Sequence, residues 1–273
     1  MCSMSLSNER NAPPARTASR AELRRRLSSA PAAWLSQALE NPELGPSELK
    51  LLLRNPSAPA TVLEEIGSNR GWMGHLELRR GFVRHPHAPP ALARHLLGHL
   101  YWRDWCDIAA HPPANPRIRR QAEQLLLANV GELAIGERIM LARRATRALI
   151  PAFLTDPEPR VIQALLGNPR LVEIDLLRLA NEPRSTREVL RCVAEHPLWG
   201  QRRDLRVALL KRPELAVQTA LRLARKLDPQ DLRMLVEDDK VAQIVRVDIE
   251  RRLRESSGGR SPGDRPAGAG EWS

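Results

Sequence analysis

Apolar residues recur along this chain in short groups that are separated by polar residues and proline. Between residues 154 and 235 the pattern appears five times, with a fainter sixth copy, and each copy opens with a polar residue followed by proline. The six dipeptides are Asp156-Pro157, Asn168-Pro169, Glu182-Pro183, His196-Pro197, Arg212-Pro213 and Asp228-Pro229. Their prolines are separated by 12, 14, 14, 16 and 16 residues. This near-constant period predicts a repeat array in which stacked units share one core.

The same junctions occur earlier in the chain, at Asn41-Pro42, Asn55-Pro56, His85-Pro86 and His111-Pro112. The longer steps in this half resemble doubled copies, so a pair of short helices is the expected unit. We expect the junction prolines at first helical positions, where a missing N–H costs nothing. No sustained alternation of apolar and polar residues indicates strands. The predicted fold class is therefore all-α, an α-solenoid of short antiparallel helix pairs.

The pattern also predicts the limits of the array. We expect a disordered arm over residues 1–20, a single helical repeat array over 21–255 and a disordered tail over 256–273, because both ends lack periodicity. Within the array, the glycine-rich stretch 67–81 predicts a longer loop in which Trp72 covers an apolar edge. After Asp239, a last helix is expected to place its apolar residues on one face and to close the array; these are Val241, Ile244, Val245 and Ile249.

Several apolar residues behind the junctions are predicted to form the core of the array. They are Leu190, Val193, Leu209, Leu221 and Ala224. Leu190→Asp or Leu221→Asp is therefore expected to lower thermal stability by burying an unpaired charge. The three cysteines are far apart and lack CxxC spacing, which argues against disulfides or a zinc module, and Cys192 is expected to be a buried hydrophobic residue.

With the copies aligned, residues 41–240 resemble bacterial α-solenoids of the HEAT-like and leucine-rich repeat variant type. The junction prolines and the Leu, Val and Ala cores behind them carry the resemblance. It implies an array that serves as a binding surface, and it implies no particular chemistry. Some leucine-rich repeat variant proteins hold an iron–sulfur centre in an N-terminal cysteine cluster. Only Cys2 lies near this N-terminus, so that cofactor is not expected.

The chain carries a formal charge of +11, and only four of its 43 basic residues are lysines. Several arginine groups fall in the later helix of a local pair, where they are able to align as a stripe that binds phosphates. The members are Arg119, Arg120, Arg143, Arg144, Arg147, Arg202, Arg203 and Arg206. The same arginines also fit two other interpretations, the solvated face of each helix or a compositional bias of the coding genome.

An aromatic cluster in residues 101–107 is the sharpest local feature of the irregular region. Trp102, Asp104 and Trp105 imitate the acid and aromatic residues that some HEAT-like DNA glycosylases use on an extruded base. The favoured interpretation is that Trp102, Trp105 and Ile108 fill a helix interface, because they recur at helical spacing. Together with Trp72, Trp102, Asp104 and Trp105 remain candidate binding residues.

The sequence contains few residue patterns that are typical of metal sites or catalytic nucleophiles. His95 and His99 are four residues apart, with Asp104 and Cys106 following, but no fixed third ligand is apparent. Other histidines occupy junction positions that hold asparagine in other copies. The sequence has no nucleophile elbow, no phosphate-binding loop and no dinucleotide fingerprint. We therefore predict no catalytic residues, no metal and no cofactor.

The functional prediction rests on a clear repeat pattern and on the scarcity of catalytic and metal-binding motifs. No segment approaches the length of a membrane span and no secretory pattern is present, so a cytoplasmic location is expected. The predicted function is a non-catalytic scaffold that binds a protein or peptide. A nucleic-acid-binding solenoid is the alternative, and a DNA glycosylase-like enzyme is the third. The sequence leaves the oligomeric state open.

Overall fold

A computed structural model describes residues 14–258 of the chain. These residues form eighteen α-helices that pack in neighbouring pairs, with three short 3-10 turns and no strand, which confirms the predicted all-α, solenoid-like class. The chain divides into two compact units between Leu133 and Ala134. Within the described part, no helix combines the length and apolar composition that crossing a bilayer requires.

The first unit contains nine helices in the described residues. They are α1 (Arg20–Arg26), α2 (Ala32–Ala38), α3 (Pro46–Leu52), α4 (Ala60–Ser68), α5 (Arg70–Met73), α6 (Leu76–Arg84), α7 (Pro90–Leu97), α8 (Trp102–Ala109) and α9 (Pro116–Asn129). Helices α1, α3, α6 and α8 pack in succession, and α4, α7 and α9 do the same. The unit is therefore built as two layers of stacked helices.

The second unit also contains nine helices in the part of the chain that is described. They are α10 (Ile135–Arg144), α11 (Ile150–Leu154), α12 (Pro159–Leu166), α13 (Glu173–Asn181), α14 (Arg187–Glu195), α15 (Arg203–Leu210), α16 (Val217–Ala224), α17 (Pro229–Val236) and α18 (Gln243–Gly258). The even-numbered helices stack on one another, as do α11, α13, α15 and α17. Stacking of alternate helices supplies the shared core that the repeat predicts.

A β-turn forms most of the junctions between helices. At Asn168, the backbone N–H of Leu171 donates to the Asn168 carbonyl at 3.1 Å, and the side-chain Oδ1 accepts from the N–H of Arg170 at 2.8 Å. Pro169 is the second residue of this turn, where its fixed φ fits well. The backbone bond recurs after Asn41, Asn55, His85, His111, Glu182, Arg212 and Asp238. The fourth residue of each turn is buried, which anchors the turn to the core.

The predicted placement of the junction prolines at first helical positions is therefore wrong for most copies. After Asn168-Pro169 the helix begins only at Glu173, because the asparagine side chain uses the following N–H groups for a turn. Other prolines begin helices, among them Pro46, Pro159 and, as the one junction example, Pro229. Several copies therefore contain two prolines, one within the turn and a second at the start of the helix.

Each junction asparagine also binds the repeat before it. Asn168 Nδ2 donates to the carbonyl oxygens of Ala142 and Ala145, at 2.8 and 3.1 Å. The same pair of bonds joins Asn41 to Ala15 and Ala18, and Asn55 to Leu27 and Ala30. Each of these buried asparagine side chains therefore bonds three backbone groups at once. The side chain thereby fixes the spacing of successive repeats.

Most predicted core residues are buried, and three expectations need correction. Leu190, Val193, Leu209 and Ala224 have no exposed surface. Leu221 is only half-buried, because α16 turns Leu223 and not Leu221 fully inward. Cys192 is half-buried as well. Val241, which precedes α18, and Val245 and Ile249 on α18 contribute to the core as predicted, but Ile244 is 58% exposed, so the four residues do not share one face.

The glycine-rich stretch 67–81 is not the predicted loop. It contains α5 and the first six residues of α6, with the side chain of Asn69 accepting from the Trp72 N–H at the start of α5. Gly67 and Gly81 allow close packing: a Cβ at Gly81 would lie 3.3 Å from Leu53 Cδ1, and one at Gly67 would lie 2.6 Å from the Phe82 ring. The glycines therefore serve helix contacts, which a loop prediction overlooks.

The predicted disordered arm and tail fall largely outside the described residues. Residues 1–13 and 259–273 are not described. Residues 14–20 contain a 3-10 turn, Ala15–Thr17, and the Ser19 side chain, which accepts from the Glu22 N–H and caps α1. The predicted single array over 21–255 covers both units.

Candidate functional site

A groove lies on the first helix layer of the first unit, between α3, α6 and α8, and has a volume of about 720 Å³. We call it the α3/α6/α8 groove. Its charged lining residues are Lys50, Arg54, Glu77, Arg80, Arg84, Arg103, Asp104 and Asp107. Its other lining residues are Leu53, Pro56, Gly81, His85, Pro86, His111 and Pro113. The groove thus combines an apolar floor, made partly by junction prolines, with charges of both signs.

The carboxylates of the groove are held by basic side chains of the preceding repeat. Arg80 Nε lies 2.6 Å from Asp104 Oδ1, and Arg84 Nη2 lies 3.0 Å from Asp107 Oδ2. Asp104 is the third residue of α8, is buried, and its Oδ2 accepts from the Tyr101 backbone N–H at 3.4 Å. Asp104 therefore both caps its own helix and pairs with the helix stacked before it.

This arrangement of a buried acid and an earlier arginine recurs in both units. The arginine precedes the acid by 24 residues in Arg24–Glu48 and Arg80–Asp104, and by 28 in Arg147–Asp175 and Arg203–Asp231. All four acids are at most 3% exposed. Burial raises the pKa of Glu48 and of Asp175, but the arginine and backbone hydrogen bonds outweigh it, so both pKa values lie below normal. Glu48 and Asp175 are therefore ionised at neutral pH, and all four acids join neighbouring repeats.

Comparison of the chain with protein-family models, curated proteins and solved structures gave no match. The geometry of the groove and of its charges is therefore the basis for a functional proposal.

The structure places the predicted arginine stripe in unequal environments. In the second unit, Arg147 and Arg203 pair with buried aspartates, and Arg206 is buried, donating to the carbonyls of Gly200 and Lys226 at 2.9 and 2.8 Å. Arg202 lies 3.9 Å from Glu173, and Arg143 and Arg144 are exposed. In the first unit, Arg120 is exposed and Arg119 is half-buried. Ion pairs and hydrogen bonds within the protein therefore engage several arginines of the predicted stripe.

The predicted aromatic residues are divided between the groove and its surroundings. Asp104 lines the groove, and Trp102 supports the groove residue Arg103, whose guanidinium lies 5.4 Å from the centre of the indole ring. Trp105 is half-buried and its indole N–H donates to the Leu97 carbonyl at 2.9 Å, which suits a role in helix packing. Trp72 is half-buried on α5 and does not line the groove.

The groove residues that sequence reasoning missed are mainly basic: Lys50, Arg54, Arg80, Arg84 and Arg103. The available signal was the spacing of 23 to 28 residues between an arginine and a later acid, which the sequence repeats several times. Such a signal is hard to use alone, because charged residues are frequent and many pairs share this spacing by chance.

Metal chemistry gains no support from the side-chain arrangement. Across residues 14–258, no three histidine, cysteine, aspartate or glutamate side chains are grouped so as to hold a metal ion. The rings of His95 and His99 contact each other edge to face, with centres 5.0 Å apart. Asp104 lies in the groove with Arg80, where its carboxylate is already engaged.

His85 performs the junction role that asparagine has in other copies. Its Nε2 lies 2.8 Å from the Asn55 carbonyl oxygen, and its Nδ1 accepts from the His87 N–H at 3.1 Å. This pattern requires a neutral ring with its proton on Nε2. Burial lowers the pKa of His85, and the nearby His87 ring lowers it further. Protonation of Nδ1 would remove the bond from the His87 N–H and so weaken the turn.

We expect His85→Asn to reduce the loss of stability at acidic pH. Because the folded-state pKa of His85 is lowered, the unfolded chain binds the proton more readily, so stability is complete above the unfolded value of about 6.5 and declines below it. Asparagine forms the same bonds without titrating. Urea unfolding of both proteins between neutral pH and pH about 5 measures the difference. His111 and His196 titrate in both proteins, so their contributions to the pH dependence cancel in the comparison. Parallel pH profiles of stability would contradict the junction role assigned to His85.

Asp175→Asn is expected to destabilise the second unit by about 2 kcal/mol at neutral pH, since it weakens charge-assisted bonds to Arg147 and to the Val172 N–H. The lowered folded-state pKa means that this stability is lost as pH falls below about 3.9, so the difference from wild type should shrink there. Asp204→Asn removes an exposed aspartate and is the matched control. Equal destabilisation by both variants in denaturant titrations would show that burial is irrelevant.

Proposed function

We propose that the chain is a non-catalytic α-solenoid scaffold that binds a protein or peptide segment in the α3/α6/α8 groove. The observation that carries the proposal is the lining of this groove, which draws on three successive stacked helices and combines apolar residues with residues of both charges. Mixed charge and an apolar floor are characteristic of surfaces that bind polypeptides. A polyphosphate would use the basic residues of this groove and leave its apolar surface uncovered.

The size and rigidity of the groove suit a few side chains of a partner. Its volume of about 720 Å³ is within the range of binding sites. Stacking and ion pairs hold α3, α6 and α8 in place before a partner arrives, as Lys50 Nζ to Glu77 at 3.1 Å illustrates. A pre-organised surface loses little entropy on binding, which favours affinity.

Site-specific photo-crosslinking tests the proposal. A photoreactive amino acid replaces exposed Pro113, at the edge of the groove, and a control replaces exposed His95, on α7 of the other layer. We expect a protein to crosslink at position 113 and not at 95 in the cells that make this chain. The purified partner should then bind the chain in isothermal titration calorimetry.

A blocking variant makes the test specific. Pro56 lines the groove and is exposed, so Pro56→Trp should fill the groove and weaken partner binding. Pro42→Trp changes an exposed proline at the same turn position of another junction, outside the groove, and should leave binding unchanged. Equal binding by both variants would exclude this groove as the docking site.

We also propose that the chain belongs with HEAT-like and leucine-rich repeat variant solenoids and acts in the cytoplasm. The support for the family proposal is the repeated turn and the stacked helix pair.

Nucleic-acid binding is the second candidate, and one observation favours it. A groove of about 550 Å³ in the second unit is lined by Ile139, Arg143, Arg160, Gln163, Ala164 and Gly167, with no carboxylate among them. Arg143 is exposed, although Arg160 Nε already donates to Glu158 at 2.8 Å. A DNA glycosylase-like activity ranks third, because Asp104 is buried and paired with Arg80.

Electrophoretic mobility shifts over a salt series separate the two candidates. Phosphate binding would give a shift at low salt that weakens steeply as salt rises, and Arg143→Gln with Arg160→Gln would reduce it. Arg94→Gln, which changes an exposed arginine of the first unit, is the control. If the chain is a protein-binding scaffold, no salt-dependent shift is expected for the wild type or for any of the variants.

A further inference from the structure

We infer that the partner segment of the α3/α6/α8 groove is an extended acidic peptide whose carboxylates bind Arg54 and Arg103. This inference rests on the proposed function, and it names the chemistry of the partner. It follows from which charges of the groove are already paired and which are not.

All three carboxylates of the groove are neutralised by the protein itself. Glu77 lies 3.1 Å from Lys50 Nζ and 2.6 Å from Arg80 Nη1. Asp104 pairs with Arg80 and Asp107 pairs with Arg84, at 2.6 and 3.0 Å. Each acid has at least one basic neighbour within the groove. The groove therefore offers no unpaired carboxylate to a basic partner.

Two cations of the groove remain without an ion pair among the described residues, and both are exposed. Arg54 follows the end of α3, and Arg103 lies in the first turn of α8. The Trp102 ring supports the Arg103 guanidinium through a cation–π contact, which limits the side-chain freedom that a ligand would otherwise have to restrict. The free charge of the groove is thus positive and comes from two arginines, one just after α3 and one on α8.

Histidine does not add to this charge at neutral pH. His111 also lines the groove, and its pKa is lowered by burial and by the positive charge of Arg84. His85 is neutral through its two hydrogen bonds. Recognition therefore depends on guanidinium groups, which bind carboxylates with two parallel hydrogen bonds.

The apolar floor distinguishes a peptide from a free anion or a nucleic acid. Pro56, Pro86 and Pro113 present apolar surface in the same groove as the two arginines, and the buried Leu53 also lines it. A partner that alternates acidic and apolar side chains would cover both kinds of surface. A nucleic acid could pair with the arginines, but its charged backbone would leave the apolar surface of the groove uncovered.

Selection from a random-peptide display library tests this inference, because the library samples many peptide sequences at once and needs no identified partner. The full chain, the double variant Arg54→Gln/Arg103→Gln and the control Arg94→Gln are each immobilised. We expect wild type and control to enrich the same peptides, rich in Asp, Glu and apolar residues, and the double variant to lose them. Fluorescence anisotropy with the most enriched peptide should show about tenfold weaker binding to the double variant, the loss expected for a charge-assisted contact.

The outcomes separate this inference from the proposed function. Enrichment of neutral or basic peptides, lost on Pro56→Trp, would overturn the acidic partner and leave the groove as a peptide site. Enrichment of acidic peptides that bind the double variant equally well would overturn the role of the two arginines. Absence of enrichment, together with absence of a crosslink at position 113, would overturn both. Circular dichroism of each variant verifies that it is folded.

Discussion

Leu190→Asp is expected to destabilise the second unit so strongly that no cooperative unfolding transition is observed for it near physiological temperature. Leu190 lies on α14 with no exposed surface, between Val189 and Val193 of the same helix, which are also buried. Aspartate at this position loses the apolar contacts and places a charge in the core. The combined cost is at least about 4 kcal/mol, a large part of the stability of a small unit. Thermal melting followed by circular dichroism measures it.

Leu221→Asp is the matched control for this experiment. Leu221 lies on α16 of the same unit but is only half-buried, so a carboxylate there can reach water. We expect a loss of about 1 to 2 kcal/mol, clearly smaller than for Leu190. If both variants melt like the wild type, the assignment of the helix faces is wrong.

Asn168→Ala should destabilise the second unit by about 3 kcal/mol, because three backbone groups lose a hydrogen bond at once. These groups are the carbonyls of Ala142 and Ala145 and the N–H of Arg170. Asn168 is only 3% exposed, so water cannot replace the side chain without opening the junction. Urea unfolding gives the free-energy difference, and faster exchange of the Arg170 amide hydrogen locates it at the turn.

Asn181→Ala provides the comparison for the junction variant. The Asn181 side chain donates a hydrogen bond to the Leu177 carbonyl at 2.8 Å and is exposed. Its removal should change stability by less than about 0.5 kcal/mol. A similar cost for both asparagines would mean that the bonds between repeats contribute little.

The fold was predictable from the sequence because its signals are local. The periodic apolar groups predict short helices, and residues such as Leu35, Leu190 and Val193 are buried accordingly. Errors arose where tertiary packing reverses a local rule. Glycine favours a loop by propensity, yet Gly67 and Gly81 lie in helices. Phe82 and Leu53 pack so closely against them that a side chain would not fit without a shift. The junction proline fits a helix start equally well, and the asparagine turn decides otherwise.

The candidate site was less predictable, because it depends on alignment across repeats. Trp102 and Asp104 drew attention to the region of the groove, but Arg54 and Arg103 look like ordinary surface arginines until the stacking of α3, α6 and α8 places them in one groove. The predicted stripe illustrates the converse. Arg147 and Arg206 look free in sequence, and only the structure reveals their acceptors in Asp175 and in the Gly200 and Lys226 carbonyls.

The direction of the buried ion pairs has a consequence for synthesis on the ribosome. In all four pairs the arginine comes first and the acid that must be buried follows one repeat later, as in Arg24–Glu48 and Arg203–Asp231. A growing chain thus displays an arginine that water solvates well until its partner emerges. None of these four acids is translated before the cation that allows its burial, so each new repeat can add to a finished one from the N-terminus onward.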